Sequence, residues 1–86
     1  MDTYFHGMRI PEHMREPLSA YISNHRPTGS FLKAVLCNDL FEAVGKADAD
    51  NILNIPAFTN YIYNKAPSEC WGSLEKYNAW IAERVQ

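Results

Sequence analysis

The sequence predicts an all-α fold, a small compact domain of four or five helices around a central apolar helix at about residues 30–44. Three observations lead there. No stretch keeps up the alternation of a strand. Apolar residues recur at helical spacing between Pro and Gly breakers. The middle segment, Ser30-Phe31-Leu32-Lys33-Ala34-Val35-Leu36-Cys37-Asn38-Asp39-Leu40-Phe41-Glu42-Ala43-Val44, reads as a helix that is apolar nearly all the way round. Such a helix is buried, in its own domain or against a partner.

Residues 1–9 read as a lead-in without a clear period, and residues 10–86 as the single helical domain. Ile10-Pro11-Glu12-His13-Met14 resembles a helix start, with Pro11 in the first turn. Met14, Leu18, Tyr21 and Ile22 follow at helical spacing. Pro17 would clash with the carbonyl of His13 in a continuous helix, so helix character over 11–24 is expected to bend or restart there. His25-Arg26-Pro27-Thr28-Gly29-Ser30 is a turn, and Ser30 is a good N-cap for the central helix. Asp48-Ala49-Asp50-Asn51-Ile52-Leu53 suits one or two helical turns with acidic residues at the start. Asn54 then caps a helix at 56–65, with Pro56 in its first turn and Ile55, Phe58 and Ile62 facing inward. Pro67 stops it. Ser68-Glu69-Cys70-Trp71-Gly72 is a connector. Ser73 caps a last helix whose stripe is Leu74, Tyr77, Ile81 and Val85, with Arg84 suiting its C-terminal dipole.

An 86-residue chain makes one domain and hides roughly 60–65% of its unfolded-state surface. Its 47% hydrophobic and 21% charged residues are a globular composition. Aromatic residues reach 13%, more than one small core absorbs, so some are expected to line a pocket or an oligomer interface. The formal charge is −2 and no basic run exists, so a direct DNA or RNA footprint is not expected. No apolar run approaches membrane-spanning length. The first residues lack the regions of a signal peptide, and a cytoplasmic location is expected. Cys37 and Cys70 read as reduced thiols, Cys37 as a small hydrophobe inside the central helix.

Three constellations are candidates for function. Asn38 and Asp39 lie within the apolar helix, where they need specific partners: loop backbone, a ligand or a neighbouring subunit. The turn holding Arg26, Thr28, Gly29 and Ser30 offers helix-start amides to an anion, although it is no P-loop. The cluster Asn60-Tyr61-Ile62-Tyr63-Asn64 with Trp71 and Ser73 has rings that stack on a base and amides that read its edge. Tyr61 and Tyr63 point to different sides, so at least one faces a groove or a subunit.

Catalytic patterns are weak. His6, His13 and His25 lack the spacing of a helical metal pair, no CxxC occurs, and no nucleophile context is visible. No cofactor, no metal and no enzymatic activity are expected.

The segments IPEHM at 10–14, PTGSFLKAVLCNDL at 27–40, YNKAP at 63–67 and CWGS at 70–73 resemble a family of small phage- and prophage-type bacterial proteins. Pro17 departs from the helix expected in that family. The resemblance implies a small accessory protein acting stoichiometrically, by binding a host protein or by sequestering a nucleotide signal used in defence. The leading expectation is thus a non-enzymatic homo-oligomer binding a nucleotide-like anion through Arg26, Thr28, Gly29, Ser30, Asn38, Asp39, Tyr63, Asn64 and Trp71. The alternative is a protein-interaction module or inhibitor of a host factor, and the third is a small enzyme.

Overall fold

The fold, a computed structural model, describes residues 4–83. A short hairpin leads in. Strands β1 (Tyr4–Phe5) and β2 (Met8–Arg9) pair antiparallel, Tyr4 opposite Arg9 and Phe5 opposite Met8. The two-residue loop between them has φ of 49° at His6 and 83° at Gly7. Positive φ at both central positions is the turn that matches strand twist, and glycine accepts it without strain. Phe5 and Met8 are half-buried against the core, and Tyr4 and Arg9 face out. The expected lead-in therefore contains a hairpin over residues 4–9.

Six helices follow: α1 (Glu12–Asn24), α2 (Ser30–Leu36), α3 (Leu40–Lys46), α4 (Ala49–Ile52), α5 (Ile55–Lys65) and α6 (Leu74–Ala82). A single 3-10 turn, Ser68–Cys70, lies between the last two. The all-α expectation holds, with the hairpin as an addition. The radius of gyration is 11.9 Å, against about 12 Å for a compact chain of this length. Among the described residues no helix is long and apolar enough to cross a membrane.

Helix α1 is one helix, with Pro17 inside it rather than opening a second. It ends at His25, left-handed at φ 57°, whose N–H donates to the Tyr21 carbonyl. Leu18 and Tyr21 are fully buried, as their spacing predicts. In α5, Phe58 and Ile62 turn inward and Ile55 packs beside them. Pro56 sits in its first turn, where no N–H is missed. Asn54 occupies the expected N-cap position but makes no side-chain cap bond. Its Oδ1 instead accepts from the Arg9 N–H at 2.9 Å and its Nδ2 donates to the Asp50 carbonyl at 2.7 Å, tying the hairpin to α4 and α5. Ser73 caps α6 as expected, accepting from the Lys76 N–H at 3.1 Å. Tyr77 of its stripe is buried and Ile81 half-buried, but Leu74 is mostly exposed. Val85 and Arg84 lie outside the described residues.

The central helix is the main correction. The predicted rod at 30–44 is two helices of seven residues, and the polar pair is the joint between them. Asn38 is left-handed at φ 61°. Its N–H donates to the Val35 carbonyl at 3.1 Å, and the Asp39 N–H donates to the Ala34 carbonyl at 2.8 Å. Those two bonds are a Schellman ending, with Asn in the place usually taken by Gly. Asp39 then caps α3, its Oδ1 accepting from the Glu42 N–H at 3.2 Å. Asn and Asp thus act as stop and start, and both are exposed rather than buried. Ser30 is likewise displaced as a cap: Gly29 holds the N-cap position and Ser30 is the first helical residue.

The core is Ile10, Leu18, Tyr21, Leu32, Leu36 and Phe58, with Cys70 and Tyr77 on the α6 side. Each large apolar side chain so buried contributes roughly 1.5–3 kcal/mol. Helix α3 buries only Ala43 and leaves Leu40, Phe41 and Val44 outside.

Candidate functional site

A pocket of about 390 Å³ opens beside α5. Pro56, Thr59, Asn60 and Tyr63 line it from one face of that helix, at the i, i+3, i+4, i+7 spacing. Ala57, Phe58 and Ile62 hold the other side of the helix in the core, Ile62 at the pocket's edge. Phe5 of the hairpin, Val35 of α2 and Asn38 of the joint complete the wall with Trp71. The Tyr63 and Trp71 rings lie 5.7 Å apart at 57°. None of the lining residues is Asp, Glu, His, Cys, Lys or Arg.

Trp71 is pinned from both sides along the chain. The Tyr21 hydroxyl donates to the Cys70 carbonyl at 2.7 Å. The Gly72 N–H donates to the Leu36 carbonyl, the last of α2, at 2.7 Å. Gly72 has φ 118°, a conformation glycine reaches without strain. Burial raises the Tyr21 phenol well above its ordinary value, so it stays a donor. Burial also pushes the Cys70 thiol up to about 11. Both cysteines are free, but Cys37 is half-buried at the end of α2 rather than inside a continuous helix, and burial raises its thiol pKa as well.

Two of the lining residues, Asn60 and Trp71, carry polar groups with different surroundings. Asn64 donates through Nδ2 to the Asn60 carbonyl at 2.9 Å and to Asn60 Oδ1 at 3.0 Å. That takes one of the two lone pairs of the Asn60 amide oxygen. Trp71 Nε1 is buried and has no acceptor among the described residues. Trp80, the other tryptophan, is paired: its Nε1 donates to the Tyr21 carbonyl at 2.8 Å. Asn51 Oδ1 is the other buried side-chain polar atom without a partner among the described residues.

The structure brings Asn38, Tyr63 and Trp71 together and puts Asn64 behind them as support for Asn60. It does not bring the rest of the predicted set to this pocket. Ser30 and Asp39 line a second depression with Lys33, Cys37, Glu42 and Leu74, whose charged residues are two acids and one lysine. Arg26 is exposed and its N–H donates to the Ala20 carbonyl at 3.3 Å. The Thr28 N–H is taken by the Tyr77 hydroxyl at 2.8 Å, so one amide of the expected anion corner is already used. Gly29 lines neither depression. The sequence reading lacked Phe5, Val35, Pro56 and Thr59. Three of these were open to it: Pro56 and Thr59 share a helical face with Tyr63, and Phe5 precedes a His-Gly turn. Val35 carried no signal.

Comparison of the chain with known protein families, with curated proteins and with solved structures finds no match.

Proposed function

We propose that this is a non-enzymatic binding protein that takes the flat ring of a nucleotide-like ligand in the Tyr63–Trp71 pocket. The observation that supports this most is the gathering of three aromatic rings, Phe5, Tyr63 and Trp71, with the amides of Asn38 and Asn60 in one uncharged pocket. Stacking on such rings contributes about 1–3 kcal/mol per base. Of the residues lining the pocket only Tyr63 carries an ionisable side chain, which favours holding a ligand over turning it over. The phosphate is left outside, since Arg26, Thr28, Gly29 and Ser30 lie elsewhere. In a phage-type setting such a protein sequesters a nucleotide-like signal stoichiometrically.

Titration of tryptophan fluorescence and calorimetry with paired nucleosides and nucleotides test this. Nucleoside and nucleotide are expected to bind alike, and Trp71→Ala to abolish both. Absence of any binding tighter than about 100 µM, roughly −5.5 kcal/mol, overturns the proposal.

A second reading, a protein-interaction module for a host factor, is favoured by one observation. Phe41 on α3 is 89% exposed, with Leu40 and Val44 on the same arc of the helix. Light scattering and host-lysate capture with the wild type and Phe41→Asp separate it from the first. Capture lost in that variant with nucleoside binding intact supports the interaction role. A homo-oligomer split by the same change assigns the face to a second copy.

A further inference from the structure

We propose that helix α3 is the contact face of a homodimer, in which a second copy of the chain packs antiparallel across a two-fold axis and each Phe41 seats on the other copy's Gly45. This goes beyond the ring-binding reading and is independent of it.

Helix α3 has little hold on its own core, since Ala43 is the residue it buries. At 3.6 residues per turn, Leu40, Val44, Phe41 and Gly45 make a continuous arc of about 140° that excludes Ala43. Leu40 is 63% exposed, Phe41 89% and Val44 48%. A contiguous apolar patch left in water marks an interaction surface.

Gly45 says what covers it. It is not among the glycines at positive φ, so its backbone does not call for glycine. A Cβ built on it meets nothing within 4 Å, so no neighbour in the fold excludes a side chain. Glycine nevertheless weakens a helix relative to alanine. An exposed glycine that neither backbone nor packing requires leaves a notch for close approach from outside. Phe41 stands one turn away on the same arc, about 6 Å along the axis. Antiparallel pairing sets the ring of each copy over the notch of the other.

The charges agree. Glu42 and Lys46 edge the arc, an acid in the first turn and a base in the last. A two-fold brings like edges together with their order reversed, so each Glu42 comes beside the second copy's Lys46. Ring, notch and reversed charges thus lie on one self-complementary patch, as an isologous contact requires. A seven-residue helix offers limited area. One aromatic ring contributes about 150–250 Å², and the arc stays below the roughly 800 Å² per partner of a standard interface. The dimer is therefore weak and depends on concentration.

Sedimentation equilibrium of the full chain is the test. A monomer–dimer equilibrium with a dissociation constant between about 1 µM and 1 mM is expected. Gly45→Ala is expected to raise that constant at least about tenfold, while its urea midpoint, read at a dilution where the chain is monomeric, rises because alanine is the better helix former. Phe41→Ala is expected to weaken association likewise. Glu42→Lys and Lys46→Glu are each expected to weaken it, and the two together to restore it. A chain that stays monomeric at about 1 mM overturns the proposal. So does a dimer that Gly45→Ala and Phe41→Ala leave unchanged. Nucleoside binding in the Tyr63–Trp71 pocket is read separately on the same samples, so either reading can fail without the other.

Discussion

Helices α2 and α3 are the two halves of one apolar run, equal in length and similar in composition, yet they have opposite fates. Helix α2 buries Phe31, Leu32, Ala34 and Leu36, while α3 buries only Ala43 and leaves Phe41 89% exposed. Apolar content does not decide burial. The joint does, because Asn38 in the left-handed region turns the chain and carries the second half off the core. That same turn places Asn38 at the pocket and Asp39 at the acidic depression.

The largest expected effect separates the two halves by stability. Leu36→Ala removes a fully buried side chain from α2 and is expected to lose about 2–5 kcal/mol in urea denaturation. Phe41→Ala, five residues on, is expected to change stability by less than about 0.5 kcal/mol. Similar losses at both positions would mean that α3 is packed as α2 is.

The next effect is at the joint. Asn38→Val forces a β-branched residue to positive φ and is expected to lose roughly 1–2 kcal/mol, whereas Asn38→Gly holds or gains stability. Asp39→Ala removes the α3 cap and is expected to lose about 0.5–2 kcal/mol, and Asp39→Asn much less, since Asn caps as well as Asp. An Asn38→Val protein as stable as the wild type, melting at the same urea concentration, breaks the distinction between the halves.

The smallest effect concerns the cap of the next short helix. Asp48 accepts from the Asn51 N–H at 2.7 Å and pairs with His13 at 3.1 Å. The Asn51 amide foremost, then His13, holds its carboxyl below the ordinary carboxylate value. The unfolded chain therefore binds this proton more readily than the folded one. The contribution is fully present above the ordinary carboxylate range and is lost as pH falls through the lowered folded value. Acid titration of Asp48→Asn against the wild type is expected to show a shallower fall in stability in that window. Parallel curves would remove the cap as a source of acid sensitivity.

How far these contrasts were legible in the sequence differs by element. The ends of α1, α5 and α6 carry local marks: Pro11 and Pro56 in first turns, Pro67 beyond an end, Ser73 as a cap. Such marks act through a few neighbouring atoms and need no knowledge of the fold. Asn38-Asp39 is ambiguous locally, because either residue is tolerated inside a helix and either can end or start one. Tertiary contacts settle it, among them the Gly72 N–H on the Leu36 carbonyl, thirty-six residues away in sequence. The hairpin escaped because two strands of two residues show no alternation, although the His6-Gly7 turn was visible. At the pocket, Asn38, Tyr63 and Trp71 were all singled out by residue type. Their separation from Arg26, Thr28 and Gly29 was hidden, because it follows from how α2, α5 and the Trp71 connector meet in space.

The most direct measurement is backbone NMR across residues 30–46, reading φ at Asn38 and the pattern of helical contacts between Val35 and Phe41. A positive φ at Asn38, with helical contacts that stop at Leu36 and resume at Leu40, is the expected result. Unbroken helical shifts and i to i+3 contacts running through Cys37, Asn38 and Asp39 would contradict it and restore the single rod.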